Sequence, residues 1–171
     1  MKLPGPLNAE QESQLRTVKS SAQHLLALIN DLLDLARIEA GRVVLKPEPV
    51  ELAVLLEEVA ATVRPQAGAK RLALAVEVEP GLTLVTDRRL MMQILINLAG
   101  NAVKFTAEGS VRLIARTGDD DSGRGTVACA VIDTGIGIPP DEQARLFEPF
   151  AQGEAARRSG IESSGLGLHL S

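Results

Sequence analysis

Three polar side chains, Asn97, Asn101 and Lys104, recur at helical intervals within Gln93-Ile-Leu-Ile-Asn97-Leu-Ala-Gly-Asn101-Ala-Val-Lys104-Phe105-Thr106. Steps of three and four stack them, with Gln93, on one side of a helix. Met91, Ile94, Leu95, Leu98 and Ala102 are the expected buried face. Amide oxygens are neutral, hard ligands suited to magnesium, and a lysine one turn on can reach a phosphate as a point charge. One polar stripe alone is ordinarily a solvated face. About thirty residues later, however, the run Val127-Ala-Cys-Ala-Val-Ile132, a buried-strand pattern, feeds into Asp133-Thr-Gly135-Ile-Gly137-Ile138-Pro-Pro140. A carboxylate at a strand end can accept from an exocyclic amino group such as that of adenine. Glycines beside it let backbone approach a flat ring where a side chain would clash. Together these are the parts needed to hold a nucleoside triphosphate.

The familiar nucleotide loops are excluded. The aspartate loop lacks the further glycine and the helix opening of the dinucleotide fingerprint, having Pro139-Pro140 there instead, and no Gly-x-x-x-x-Gly-Lys-Ser/Thr run exists. Two more segments follow in order. Leu146-Phe147-Glu148-Pro149-Phe150 gathers two of the three phenylalanines. Residues 151–164 are small and charged, as in a mobile lid, and Gly165-Leu166-Gly167-Leu168 could turn backbone amides toward phosphate oxygens.

These four motifs, in this order, resemble the ATP-binding catalytic domain of sensor histidine kinases, the Bergerat-type (GHKL) ATPase fold. The family's N box corresponds to Asn97–Thr106, its G1 box to Asp133–Gly137, its F box to Phe147–Phe150 and its G2 box to Gly165–Gly167. The resemblance implies ATP and Mg2+ as cofactors, with Asn97, Asn101 and Lys104 catalytic and Asn101 on the metal. It places the nucleotide among Asn97, Asn101, Lys104, Phe105, Asp133, Gly135, Gly137, Ile138, Phe147, Gly165, Leu166, Gly167 and Leu168. Other ATPases of the superfamily carry a water-activating glutamate where this chain has Asn97. An amide cannot act as a base, which favours phosphoryl transfer to a histidine over hydrolysis. The chain departs from the family in Ser163-Ser164 before Gly165, where an earlier glycine is common. Gln152 stands where many relatives have an arginine, leaving Arg157 or Arg158 for that contact.

Ahead of this domain, Leu15, Val18, Ala22, Leu25, Ile29, Leu32 and Ala36 form a three-and-four seam, widened by Leu26, Leu28, Leu33 and Leu35. Asn8 or a neighbour is the expected cap and Gly41 the expected stop. The segment resembles the second helix of the family's dimerisation and phosphotransfer hairpin, with its preceding loop. The phosphoacceptor histidine of the family lies on the first helix and has no matching position here. His24 and His169 are read as ordinary histidines. The chain is therefore expected to be an internal piece of a larger kinase, with residues 1–41 an incomplete hairpin and 42–171 a shortened catalytic domain.

The elements that must position the site follow from patterning. Residues 43–51 read as extended, 52–67 as a helix, and 71–78 and 82–86 as strands before Asp87, which can cap the asparagine-bearing helix. Strands at 110–116 and 126–132 flank a turn, Gly118-Asp-Asp-Asp-Ser-Gly-Arg-Gly125, whose aspartates read as a solvated tip. The expected class is α+β: a two-layer α/β sandwich, a mixed sheet with helices on one face, preceded by a long amphipathic helix. Of 171 residues, 45% are hydrophobic but only 2% aromatic, which implies an aliphatic core. The net charge of −4 and the lack of a basic cluster argue against nucleic acid as a partner. The one cysteine, Cys129, excludes an internal disulfide and reads as a buried small hydrophobe. No run approaches the ~20 apolar residues that cross a bilayer, so no membrane contact by this chain and a cytoplasmic location are expected. Beyond ATP, the resemblance implies a cognate response regulator and a homodimer through the N-terminal helix. The alternatives are a GHKL-type ATP hydrolase and a non-catalytic dimerisation fragment.

Overall fold

The computed structural model describes residues 5, 7–39, 44–119 and 125–143. The chain divides into two compact units, Met1–Val43 and Val44–Ser171, each described here on its own.

The first unit is the helix α1, Ala9–Glu39. Its start is written locally: Asn8 Oδ1 accepts from the Gln11 amide at 2.8 Å while Gln11 Oε1 accepts from the Asn8 amide at 3.0 Å. This reciprocal capping box satisfies two amide donors at a helix start. The expected seam is present but uncovered, with Leu15, Val18, Leu25, Ile29 and Leu32 each 48–63% exposed. A single helix has nothing of its own against which to bury such a stripe. Gly41 lies outside the described residues.

In the second unit, β1 (Glu48–Glu51) leads into α2 (Leu52–Ala69), and β2 (Ala73–Val78) and β3 (Thr83–Thr86) precede α3 (Arg88–Phe105). Then come β4 (Ser110–Asp119), β5 (Gly125–Asp133) and a short α4 (Pro140–Gln143). One sheet has the order β2-β4-β5, with β2 and β4 parallel and β4 and β5 antiparallel. Leu52, Leu55, Leu56, Val59, Ala60, Val63 and Ala67 of α2 are buried at helical spacing. They pack with Leu95, Ala99, Ala102 and Val103 of α3 and with Val111, Leu113 and Ala115 of β4. Each fully buried Leu or Val contributes about 1.5–3 kcal/mol. The two-layer α+β architecture is as expected.

The β2-β4-β5 sheet is mixed, as expected, and β1 and β3 form a separate antiparallel pair, Glu48↔Thr86 to Glu51↔Thr83. Two expectations are corrected. β5 is not a buried strand. Among the described residues it is an edge, alternating half-buried Val127, Cys129 and Val131 with exposed neighbours, since it pairs only with β4. Cys129 is accordingly half-buried, and burial pushes its thiol pKa up. Finally, the buried face of α3 is Leu95, Ala99, Ala102 and Val103, flanked by Met91, Met92 and Ile96. Ile94 and Leu98 are only half-buried and lie outside this core, because α2 and β4 approach α3 from one side.

Candidate functional site

The asparagine-bearing helix α3 is fixed at both ends. At its start Asp87 has extended backbone and its Oδ1 accepts from the Leu90 amide at 3.1 Å, as expected of an N-cap. Its other oxygen, Oδ2, accepts from the amide of Lys46 at 3.0 Å, in the segment entering β1. These amides, Lys46 first, hold the Asp87 carboxyl below its ordinary pKa. Arg88 adds a two-pronged ion pair to Glu58 on α2 at 2.6 and 2.7 Å.

At the far end the last four carbonyls have no partner inside the helix. Thr106 leaves in extended conformation, so no left-handed glycine turn closes the helix. Ala102 O accepts from the Thr106 amide at 3.1 Å. Val103 O and Lys104 O accept from Lys70 Nζ at 2.8 and 2.7 Å, and Thr106 O accepts from the same ammonium at 3.2 Å. Phe105 O receives the Ile136 amide, at a longer 3.4 Å, from the aspartate loop. The end of α3 and the loop after β5 are thereby joined.

That loop is held from three sides. Asp133 Oδ1 accepts from the Gly135 amide at 2.8 Å, an Asx-type turn. The Thr134 amide donates to Ser110 O at 3.1 Å, and Thr134 Oγ1 accepts from the Ser110 amide at 3.0 Å. Gly109, at φ 111°, leaves room for this hydroxyl, onto which a Cβ would fall. The two loop glycines have different reasons to be glycine. A Cβ on Gly135 would sit 2.6 Å from Phe105 O and 2.8 Å from Asp133 Oδ1. Gly137 has open space around it but a left-handed φ of 68°. The close approach expected toward a ligand is, at Gly135, an approach to the protein's own helix end.

Asn97, Asn101, Lys104 and Phe105 are all half-buried on α3. Lys104 Nζ lies 5.5 Å from the Phe105 ring centroid, within cation–π range. Asp133 and Ile138 are exposed, with Ile138 O accepting from Gln143 Nε2 at 3.0 Å. Phe147, Gly165, Leu166, Gly167, Leu168 and the expected lid lie outside the described residues. Among the described residues no group of three or more His, Cys, Asp or Glu could form a metal cage. No helix among them is long and apolar enough to cross a membrane. Sequence reading missed Lys70, Thr134 and the Lys46–Asp87 bond. A lysine just after a helix carries no signal of the distant carbonyls it will meet.

Comparison with known proteins adds an independent line. Residues 86–171 match the model for histidine kinase-, DNA gyrase B- and HSP90-like ATPases, and residues 1–41 match the His kinase A phospho-acceptor domain. The circadian input-output histidine kinase CikA of Synechococcus elongatus is 40% identical over 171 residues, covering 97% of this chain and 22% of that protein. The signal transduction histidine-protein kinase BarA of Escherichia coli is 36% identical over 166 residues, covering 95% of this chain and 18% of that protein. The chain thus spans about a fifth of the curated relatives it matches. Among solved structures, full-length ShkA in complex with AMPPNP superposes with a TM-score of 0.78 at 41% identity, over 97% of this chain and 34% of that one.

Proposed function

Because the chain belongs to the sensor histidine kinases, within the histidine kinase-, DNA gyrase B- and HSP90-like ATPases, we propose that it is the ATP-binding catalytic part of such a kinase. Its role would be to bind ATP and deliver the γ-phosphoryl group to a histidine borne on the dimerisation hairpin. The observation that carries this reading is the junction of α3 with the aspartate loop. The helix presenting Asn97, Asn101 and Lys104 ends on a carbonyl, Phe105 O, that receives the Ile136 amide of the loop presenting Asp133. A ligand with an amino-bearing base at one end and phosphates at the other would meet both. ShkA, about a third of which resembles nearly the whole of this chain, is a complex with AMPPNP.

Each residue then has a task. Asp133 Oδ1 is engaged by Gly135, so Oδ2 is the atom offered to the adenine amino group. Lys104 contacts phosphate, and Phe105 and Ile138 lend apolar surface. The resemblance adds Phe147, Gly165, Leu166, Gly167 and Leu168, outside the described residues, to the nucleotide-binding set. The donor set suits magnesium. Among the described residues no carboxylate cage forms, and the neutral amide oxygen of Asn101 is a hard donor that would hold such an ion. When bound, magnesium would supply positive charge that offsets charge developing on the phosphates. Asn97 orients but removes no proton, so water is not activated and transfer to histidine is favoured. The uncovered seam of α1 supports pairing with a second copy in a hairpin bundle, and the response regulator and a cytoplasmic setting follow with the family.

Titration calorimetry with Mg-ATP and Mg-GTP tests the reading. ATP should bind, and GTP should bind at least tenfold more weakly. Asp133→Ala should lose about 1–3 kcal/mol. Asp133→Asn can keep an acceptor for Gly135 while turning a donor toward the base, so it should lose adenine preference without losing the turn. Equal affinity of the wild type for the two nucleotides would defeat the assignment of Asp133.

A further inference from the structure

We propose that Lys70 is a positioning residue for nucleotide binding, acting as the C-terminal cap of α3 from a different helix. This rests on the nucleotide reading of the site and adds to it a residue that touches no ligand.

The argument is an accounting of carbonyls. A helix that ends without a left-handed turn leaves its last carbonyls to outside donors, and unpaired ones let the final turn fray. In α3 that turn holds Lys104 and Phe105, so fraying would displace a phosphate-contacting side chain and the carbonyl to which the loop bonds. Lys70 Nζ takes two of the four orphan carbonyls, Val103 O and Lys104 O, and the carbonyl of Thr106 beyond them. A cation there also meets the negative end of the helix dipole, where its attraction is strongest.

The lysine is itself held in place. The buried stripe of α2 runs through Val63 to Ala67 and fixes that helix on the core. The chain then turns sharply: the Leu72 amide donates to Ala67 O at 2.9 Å and the Arg71 amide to Gly68 O at 3.0 Å, a Schellman motif. Its left-handed position, usually glycine, is Arg71 at φ 58°. Lys70 is the C-cap residue between Ala69, the last residue of α2, and that turn, and its Nζ reaches across to α3. The two helices therefore end differently. α2 closes on its own backbone, and Lys70 at that closure supplies the donors that the end of α3 lacks.

The test compares Lys70→Met with Arg88→Met, which removes the Glu58 ion pair at the opposite end of the same helix. Calorimetry with Mg-ADP is run on the 171-residue chain at temperatures where circular dichroism shows each variant folded. Lys70→Met should bind ADP about fivefold more weakly, with Lys70→Arg recovering most of the loss. Arg88→Met should lower Tm yet bind as the wild type does. By NMR, amide exchange of Ile136 should quicken in Lys70→Met and not in Arg88→Met. Should Lys70→Met fail to fold, Lys70→Gln, which keeps a donor but no charge, should still bind at least twofold more weakly. Wild-type affinity in the folded Lys70 variants, or an equal loss in Arg88→Met, overturns the role of Lys70 alone. Absence of ADP binding by the wild type overturns the nucleotide reading as well.

Discussion

The two ends of α3 are secured by opposite means. At the amino end the cap comes from the adjacent residue, Asp87, bonding three residues ahead to Leu90. At the carboxyl end the partners are Lys70, more than thirty residues earlier, and Ile136, about thirty later. The Asp87–Leu90 bond is local enough to form in an isolated peptide, and Lys46 and Glu58 only reinforce that end. The second end exists only once α2, α3 and β5 are packed together. Local capping sets where α3 begins, and tertiary contacts set where its last turn points. It is that last turn that carries Lys104 and meets the loop.

The largest expected effect comes from breaking the distal end at its closest approach. Gly135→Ala places a Cβ 2.6 Å from Phe105 O, so the loop must move off the helix. Nucleotide affinity should fall at least tenfold, with a clear drop in Tm. Gly137→Ala has room but a left-handed φ, and should cost only about 1–2 kcal/mol of stability. Equal effects of the two alanines on affinity would remove the distinction between them.

An intermediate effect is expected at the proximal end. Asp87→Ala loses the Leu90 cap and the Lys46 bond together, and should lower Tm by roughly 3–8 °C. The pH dependence sharpens this. The Asp87 carboxyl is held below its ordinary pKa, by the Lys46 amide first and Leu90 next. Its stabilisation is therefore fully present above the unfolded value, about 3.9, and is lost as pH falls through the folded value. The Tm gap between the wild type and Asp87→Asn should narrow as the pH is lowered from 6 through that range. A gap that stayed constant would show that the charge of Asp87 does nothing there. Glu77, beside Arg112, and Glu79, bonded to Thr117, are lowered in the same direction but are common to both proteins and cancel in the difference.

The smallest effect has the opposite sign. Arg71 occupies a left-handed position that glycine adopts without penalty. Arg71→Gly should therefore leave stability unchanged or raise it by up to about 1 kcal/mol, the strain relieved being partly offset by greater unfolded-chain entropy. It should also leave ADP affinity intact, since the backbone carrying Lys70 is retained. Thermal denaturation and calorimetry on one preparation measure both.

Much of this protein is legible in its residue pattern. Intervals of three and four place Asn97, Asn101 and Lys104 on one helix, and the Asn8–Gln11 and Asp87–Leu90 caps are written in neighbouring residues. Alternation gives the half-buried faces of β2, and the order of four motifs gives the family. These features are legible because each depends on contacts within a turn or along a strand. Tertiary structure decided what depends on distant partners. It rotated the buried face of α3 toward Ala99 and Val103, left β5 an edge among the described residues, and set β1 with β3 in a sheet apart. It also brought Lys70 to the carbonyls of Val103 and Lys104, and Gly135 against Phe105 O. Hydrogen-bond partners so far apart in the chain leave no periodicity behind, because which of many polar groups meet is settled only when the apolar faces have packed.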